Sequence, residues 1–437
     1  MTIENLSARA TQQYASSPLF LQAVLEVLES VAAVMTNADD VARLTRLLMP
    51  ERVISFKVVW SDDAGNLQHN IGYRVQHSSA LGTYKGGLRF DSTVTLDVLQ
   101  FLAFEQTFKN ALTGLPLGGA KGGSDFDPKG KSDRELRNFC RAFMVQLHSD
   151  IGLDRDVPAG DIGVSGRELG YMMGMYKELA RDSAGVLSGK PPIVGGSVGR
   201  VEATGHGIAY FAACMADAQA LSLSALTVVI SGAGNVAEHT ARKLIGLGAT
   251  VQTLSDRQGY LFKPAGFSSI DIDAIKKCKE NKDDLQSLAI TGATYHAGKP
   301  WQAVAADAYF PCATQNEVDE ADARTMVKTA KLIVEGANMP LTSAAQAVVR
   351  ASKIPYAPGK ASNAGGVAVS GFEMAQNAAH YPWTAVQVEQ ALHATMKEIH
   401  GQCVQAGKQI DGTIDYVKGA NIAGVQKVLA AMRVLGW

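Results

Sequence analysis

LTVVISGAGNVAEHTARKLIGLGATVQTLSDR, running from Leu226 to Arg257, decides the fold. Leu226–Ser231 is a short apolar run of the kind that fills a parallel sheet. Glycines follow it, then helical spacing over Val236–Leu247, then a second run, Thr250–Ser255. Strand, turn, helix and strand make a β-α-β unit. Inside it, Gly232-Ala233-Gly234-Asn235-Val236-Ala237 reads G-x-G-x-x-A. Gly232 permits a tight turn, Gly234 lets the backbone approach a pyrophosphate, and Ala237 keeps the helix close to the strand. The free N–H groups at the start of that helix, around Asn235 and Val236, would face the anion. Alone the fingerprint is weak; its place between a strand and a helix gives it weight. The second strand ends at Ser255-Asp256-Arg257, where a ribose is usually read. Asp256 could accept from a 2′-hydroxyl, which favours NAD. Arg257 could pair with a 2′-phosphate, which favours NADP, or be a solvated surface charge.

Working outward, further apolar runs at Ala308–Phe310, Leu332–Val334 and Ile354–Ala357 alternate with helical segments, as in an open doubly wound sheet. Upstream, IVGGSVGR (Ile193–Arg200) is glycine-rich enough to hinge two lobes. The earlier region has another pattern. VISFKVVW (Val53–Trp60) and NIGYRVQH (Asn70–His77) flank an Asp/Gly cluster and predict a hairpin. Leu96–Leu112 predicts a long helix, and Gly114–Gly123 is too rich in glycine to be a helix interior. Over residues 18–49, Leu21, Val24, Leu25, Leu28, Val31, Ala32 and Met35 fall on one helical face.

Composition narrows the class. The chain has 437 residues, 46% hydrophobic and 19% charged, with a net charge of -1. That balance offers no basic field for nucleic acid or an acidic membrane. The five cysteines lie far apart, form no close metal-ligand pair and are odd in number, so a reducing compartment and no metal are expected. No apolar run is long enough to span a bilayer, and Met1–Ser17 has no signal-like apolar core. A cytoplasmic protein is the expectation.

Three lysines stand out. Lys85 in YKGGLRF, Lys109 in FEQTFKNALTG and Lys121 in PLGGAKGGSDFDP are each ringed by apolar residues or glycines. A single lysine is ordinarily a solvated side chain; three in such settings within a short span suit a pocket. A small dicarboxylate needs two cationic anchors and one group that exchanges protons near neutral pH. A lysine among like charges has its pKa lowered, and Lys121 is assigned that part. Asp161 in VPAGDIG is a carboxylate on a tight loop, either a proton carrier or a turn-capping aspartate.

Together these stretches resemble the hexameric class of glutamate dehydrogenases, in particular its NADP-dependent branch. The matching segments are YKGGLRF, FLAFEQTFKNALTGLPLGGAKGGSDFDPKGKSD, DVPAGDIGVSGREL, EATGHG, SGAGNVA, PCATQNEVD, EGANMP and NAGGVAVSGFEMAQN. They cover nearly the whole chain in the family's order, weakening before about residue 50 and within about 260–300. The resemblance implies an amino acid oxidoreductase serving nitrogen assimilation, with L-glutamate, 2-oxoglutarate and ammonium as its small-molecule partners. It implies that Lys85 and Ser370 hold the side-chain carboxylate, and that Lys109 and Gln106 hold the α-carboxylate. Lys121 is then the catalytic lysine and Asp161 its proton-transfer partner. Thr204 and Asn235 bind the nicotinamide carboxamide, and Lys129 is aimed at the 2′-phosphate. NADP is therefore the expected cofactor, with NAD possible. The expected fold is α/β with two domains. Residues 1–195 plus 412–437 form a substrate-binding and oligomerisation domain, and 196–411 a Rossmann-like dinucleotide domain. A C-terminal helix in Asp415–Trp437 returns to the first, and the assembly is a homo-oligomer, a hexamer by resemblance.

Three positions depart from the pattern. Asp91 stands after Phe90 where histidine is frequent, and its charge would weaken an NADP preference. Val201 replaces a proline and His206 a tyrosine, both at packing positions. Two rivals remain at this stage. A leucine- or phenylalanine-type dehydrogenase shares the chemistry, but Lys85 and Ser370 would then face a hydrocarbon unpaired. A non-catalytic sensor would have no use for Lys121 and Asp161 together.

Overall fold

The computed structural model describes residues 2–281 and 283–437. The chain divides into two compact units. The first holds the chain up to Arg200 together with Val367–Val388 and Asn421–Trp437; the second holds Val201–Gly366 and Glu389–Ala420.

The first unit opens with α1 (Ile3–Gln13), α2 (Pro18–Val31) and α3 (Ala38–Leu47). It continues through β1 (Arg52–Ser61), β2 (Leu67–Ser78), β3 (Thr83–Phe90), α4 (Leu96–Leu112), β4 (Leu117–Ser124), α5 (Asp133–Leu147), β5 (Asp156–Gly160) and α6 (Gly166–Ala180). The predicted hairpin is β1–β2, antiparallel with Val53 opposite Val75 and Trp60 opposite Gln68. The five strands lie in the order β1-β2-β4-β3-β5. β2 meets β4 antiparallel, whereas β3 runs parallel to both β4 and β5. α5 and α6 cover one region with an aromatic core in which Phe126 and Phe139 stack at 3.8 Å between centroids. The expected helical face over residues 18–49 is split. Val24, Leu28 and Val31 are buried on α2, but the helix stops at Val31, leaving Ala32 exposed.

A buried ion pair crosses the sheet. Arg74 of β2 meets Asp156 of β5 through Nε at 2.9 Å and Nη2 at 2.5 Å, both side chains fully buried. Removing either partner would strand a buried charge, at a cost of about 3–5 kcal/mol.

The second unit contains α7 (Ala203–Ala218), β6 (Thr227–Ile230), α8 (Asn235–Gly246), β7 (Thr250–Ser255), β8 (Gly259–Phe262), α9 (Ser269–Glu280), β9 (Thr294–Ala297) and β10 (Ala308–Phe310). α10 (Glu320–Met326), β11 (Leu332–Val334), α11 (Ser343–Ala351), β12 (Tyr356–Ala357) and the short α12 (Gly359–Ser362) follow. Its sheet runs β12-β11-β10-β6-β7-β8-β9. The first five strands are parallel, as a doubly wound sheet requires. β8 and β9 extend it antiparallel, in the stretch where the family resemblance is weakest.

Three helices complete the chain: α13 (Gly365–Ala379), α14 (Ala385–Gly407) and α15 (Tyr416–Val434). The division differs in detail from the expected 1–195 plus 412–437 and 196–411. The first change falls after Arg200, Val367–Val388 joins the first unit, and the final return begins at Asn421. Polar side chains explain both later segments. Ser370, Glu373 and Asn377 bond to Arg200, Gly189 and Lys190, and Asn421 Nδ2 donates to Ser30 Oγ at 2.9 Å.

Candidate active site

The glycine block is a strand, because glycine lets a helix lie directly on a sheet. A Cβ built at Gly119 would stand 2.6 Å from the Thr107 Cα, inside α4. Gly119 therefore admits α4 against β4, and with it the side chains α4 carries. Lys85 of β3 pairs with Gly119, and Lys121 lies two residues further along β4. Strand alternation puts Lys85 and Lys121 on the face that α4 covers. Lys109 lies on α4 itself, so the sheet and its covering helix gather all three lysines.

Asn110 holds this arrangement. Its Nδ2 donates to the carbonyls of Lys85 at 3.0 Å and Gly118 at 2.5 Å, tying α4 to two strands. Its Oδ1 accepts from Gln106 Nε2 at 2.7 Å, which fixes the Gln106 amide.

Asp161 follows β5, and its carboxylate is shared. Oδ2 meets Lys121 Nζ at 3.0 Å and Arg89 Nε at 3.1 Å. Gly87 makes room for it: a Cβ there would stand 2.8 Å from the Asp161 Cβ. Burial alone would raise the Asp161 pKa, but the charges of Lys121 and Arg89 outweigh it and hold the carboxyl well below its usual range. Burial lowers Lys121, an effect Asp161 opposes and Arg89 reinforces. Lys109 is pushed down to about 7, by burial first and then by the charge of Lys121. Both lysines are therefore lowered, Lys109 to near neutrality.

Lys85 is fully buried and its Nζ has no hydrogen-bond partner. Burial, then Arg200 and Arg74, push its pKa well below the usual lysine value. Ser370 is buried on α13, and its Oγ accepts from Arg200 Nε at 2.9 Å. An unpartnered ammonium, a guanidinium and a hydroxyl thus converge on one corner, while Lys109 and Gln106 occupy α4. Two sets of cationic and polar side chains thus lie in the same unit as the Lys121–Asp161 pair, a combination that suits a small molecule bearing two carboxylates.

The second unit carries the turn expected after β6. Gly232 has φ +83, a conformation glycine adopts without strain, and a Cβ there would meet the Ala313 Cα at 3.2 Å. Its N–H donates to Ser255 Oγ at 2.7 Å. Gly234 caps α8 with open space where a side chain would be, and Ala237 is buried. Val236 is partly buried in the first turn of α8, beside an exposed Asn235 whose Nδ2 donates to the Val201 carbonyl at 2.8 Å. Thr204 lies in the first turn of α7, and Gly205 lets α7 meet α8 within 2.5 Å of a built Cβ. A helix N-terminus left open by glycine fits a pyrophosphate.

Asp256 is committed locally. Its Oδ1 accepts from the amides of Gln258 at 2.9 Å and Gly259 at 3.0 Å, and its Oδ2 from that of Leu285 at 2.9 Å. Arg257 is exposed. Lys129 is exposed on a loop of the first unit. Asp91 accepts from Thr93 at 2.7 Å and is lowered by that bond, with Lys129 and Arg89 adding to it against partial burial.

Family models match most of the chain. Residues 50–178 match the Glu/Leu/Phe/Val dehydrogenase dimerisation domain, and residues 195–436 match the Glutamate/Leucine/Phenylalanine/Valine dehydrogenase model. The chain belongs to the Glu/Leu/Phe/Val dehydrogenase family. An NAD-specific glutamate dehydrogenase of Bacteroides fragilis is 48% identical over 440 residues, 99% of each chain. An NADP-specific glutamate dehydrogenase of a Psychrobacter species is 48% identical over 446 residues, 100% of this chain and 99% of that one. The crystal structure of Plasmodium falciparum glutamate dehydrogenase superposes with a TM-score of 0.97 at 44% identity, covering 100% of this chain and 94% of that chain.

In this family member the sequence reading missed four side chains. Arg74, Arg89, Asn110 and Arg200 each touch or act on an expected site residue. Asn110 had a signal, since it lies four residues after Gln106 on a predicted helix. Arg200 had none, because its partner lies 170 positions away.

Proposed function

We propose that this chain is a glutamate dehydrogenase, interconverting L-glutamate with 2-oxoglutarate and ammonium, and that NADP is its preferred cofactor. The observation that carries this is the pair of cationic subsites, Lys85 with Arg200 and Ser370 on one side and Lys109 with Gln106 on the other. A leucine-type substrate would leave the buried Lys85 ammonium facing hydrocarbon, which costs several kcal/mol or neutralises it.

Lys85 and Ser370 take the side-chain carboxylate, and Lys109 with Gln106 takes the α-carboxylate. This two-point hold fixes Cα and its hydrogen relative to Lys121. A nicotinamide dinucleotide, when bound, supplies the two-electron acceptor. Thr204 and Asn235 are assigned to its carboxamide, and Gly232, Gly234 and Val236 to its pyrophosphate. Once the substrate is oxidised to an iminium, Lys121 orients and polarises the water that adds to the same carbon. Asp161, held as a carboxylate, takes a proton from that water and returns it to the nitrogen, which leaves as ammonia. The glutamate ammonium loses one proton before oxidation, water enters, and 2-oxoglutarate leaves with the ammonia, which takes up a proton as ammonium, so that one proton is released in the balance.

The NADP preference draws on Asp256 and Arg257. Three backbone N–H groups already occupy the Asp256 carboxylate, so it is a poor acceptor for a ribose hydroxyl. Arg257 is exposed and available to a 2′-phosphate, and Lys129 is assigned to the same group. Relatives of equal identity carry both NAD- and NADP-specific names. A cytoplasmic homohexamer is the assembly proposed, in keeping with the dimerisation-domain match over residues 50–178.

Initial rates with 2-oxoglutarate and ammonium test this, using NADPH and NADH at matched concentrations. We expect turnover with both and a higher kcat/KM for NADPH. Oxidation of leucine or phenylalanine in preference to glutamate would overturn the substrate assignment. A higher kcat/KM for NADH would overturn the cofactor assignment.

A further inference from the structure

Helix α13 turns one polar stripe toward residues 187–200. Ser370, Glu373, Gln376 and Asn377 recur at the spacing of a single helix side. Each engages the loop. Ser370 Oγ accepts from Arg200 Nε at 2.9 Å, and Gln376 Nε2 donates to Ser197 Oγ at 2.9 Å. Asn377 accepts from Lys190 Nζ at 2.9 Å and donates to the Gly195 carbonyl at 2.6 Å. Glu373 accepts from Lys190 Nζ at 2.7 Å and from the Gly189 amide at 2.9 Å. Lys190 also donates to the Leu187 carbonyl.

Glu373 differs from the rest of the stripe, being its only charge. Its side chain is 0% exposed, and that of Lys190 2%. A pair so deep is a poor stabilising device, because desolvation cancels most of the attraction. Gln376 and Asn377 already fasten the loop with neutral bonds. The charge has a use nearby instead. Lys85 is buried with an unpartnered Nζ, and the positive charges of Arg200 and Arg74 oppose its proton, whereas Glu373 and Asp156 favour it. Glu373 also favours the charged form of Arg200. Lys121 on β4 and Lys109 on α4 add positive charge on the same sheet face. Asp156 is occupied by Nε and Nη2 of Arg74 and by Gln76. Glu373, held by Lys190 and the Gly189 amide, is the other counter-charge for this corner, and the larger of the two for Lys85.

We propose that Glu373, oriented by Lys190 and the Gly189 amide, is the positioning residue that fits the site to substrates with a second carboxylate, by keeping Lys85 and Arg200 charged and aimed before that carboxylate arrives. The inference rests on the glutamate reading of the site and deepens it. Glu373 acts through Lys85 and Arg200, without touching substrate. Replacing it by glutamine keeps the shape and one acceptor but removes the charge.

Glutarate is the probe, a dicarboxylate that lacks the amino group, with butyrate as the one-carboxylate control. Calorimetric titration would follow both between pH 6 and 10 for the wild type, Glu373→Gln, and Glu373→Gln with Lys190→Met. The double variant removes the ammonium that the single one leaves buried and unpaired, so the test does not depend on one variant folding. In Glu373→Gln the pH at which glutarate affinity falls should move down by about one unit or more, the scale of losing a nearby opposite charge, and in the double variant, which loses a positive charge as well, it should move in the same direction by less. Butyrate curves should move less. In steady-state assays at pH 8, KM for glutamate should rise more than kcat falls, and Glu373→Asp should recover part of the loss. Glutarate curves that superimpose on those of the wild type overturn the inference, even if the wild type turns over glutamate. Loss of the folded state in both variants assigns the pair to stability and overturns it as well. A wild type that neither binds glutarate nor oxidises glutamate removes the underlying reading and this inference with it.

Discussion

The charge of Lys121 helps depress Lys109, yet the site asks different things of the two. Lys121 has a fixed partner in Asp161 at 3.0 Å, so its proton can move along a defined bond. Lys121→Ala removes that route and should lower kcat by about 10²–10⁴-fold, the usual range for lost acid–base chemistry. A variant turning over at wild-type rate would take Lys121 out of the reaction. Lys109 is brought to about 7 by burial and by Lys121, and a carboxylate binds its charged form. As pH rises through about 7 the ligand-free site loses that charge, so KM for glutamate should climb with pH. Lys109→Arg, charged throughout, should flatten the climb; the same slope in both proteins would move the titration to another group. The stability effect has the opposite sign. An unfolded lysine keeps its proton to about pH 10, so the folded chain binds fewer protons between about 7 and 10. For this group stability therefore rises with pH across that window, and the cost is complete below it.

α4 and β4 convert residue positions into a site, and their contact depends on one missing side chain. At Gly119 a Cβ would lie 2.0 Å from the Thr107 Oγ1 and 2.6 Å from its Cα, so backbone must move. Gly119→Ala should cost about 1–3 kcal/mol as an overpacked contact, seen as a lower Tm. It should also raise KM for glutamate, because Gln106 and Lys109 ride on the displaced helix. An unchanged Tm would mean that the two elements part without strain. This element also marks what could be read in the sequence. α4 was legible to its end residues, since a long apolar pattern closed by Thr113-Gly114 specifies a helix, and Thr95 caps it through the Val98 amide. The β1–β2 hairpin and the β6–α8–β7 unit were legible for the same reason, periodicity bounded by turn residues. β3 and β4 were not, because their alternating positions hold glycine and lysine, which carry no strand signature. β8 and β9 hid because four-residue strands leave too short a pattern. At the site, the lysines showed through their surroundings. Arg200 and Glu373 did not, since their roles come from contacts across more than 150 positions.

The end of the chain belongs to the same structure as its start. Asn421–Trp437 packs within the first unit, where Asn421 reaches Ser30 and Arg433 bonds Asp40 at 2.9 and 3.0 Å. Arg43 Nε donates to the carbonyl of Trp437 at 3.1 Å, and the Arg46 guanidinium lies 4.6 Å from the centre of its ring. Between these anchors α15 crosses α4 at Gly424, where a Cβ would stand 3.0 Å from the Phe108 Cβ and 3.3 Å from the Phe108 Cα. Phe108 directly precedes Lys109, so α15 braces from outside the helix that holds this proposed substrate anchor. Gly424→Val should therefore do two things at once. The larger side chain has to push α15 away from α4, lowering Tm by the few degrees that about 1–3 kcal/mol of overpacking implies for a chain of this size. It should also raise KM for glutamate while leaving the affinity for NADPH, followed by nucleotide fluorescence, close to the wild-type value, since Gly232 and α8 lie in the other unit. If Tm fell while KM for glutamate stayed the same, α15 would serve stability alone. If NADPH affinity fell in step with KM, the disturbance would not be confined to α4, and the link between the last helix and Lys109 would be lost.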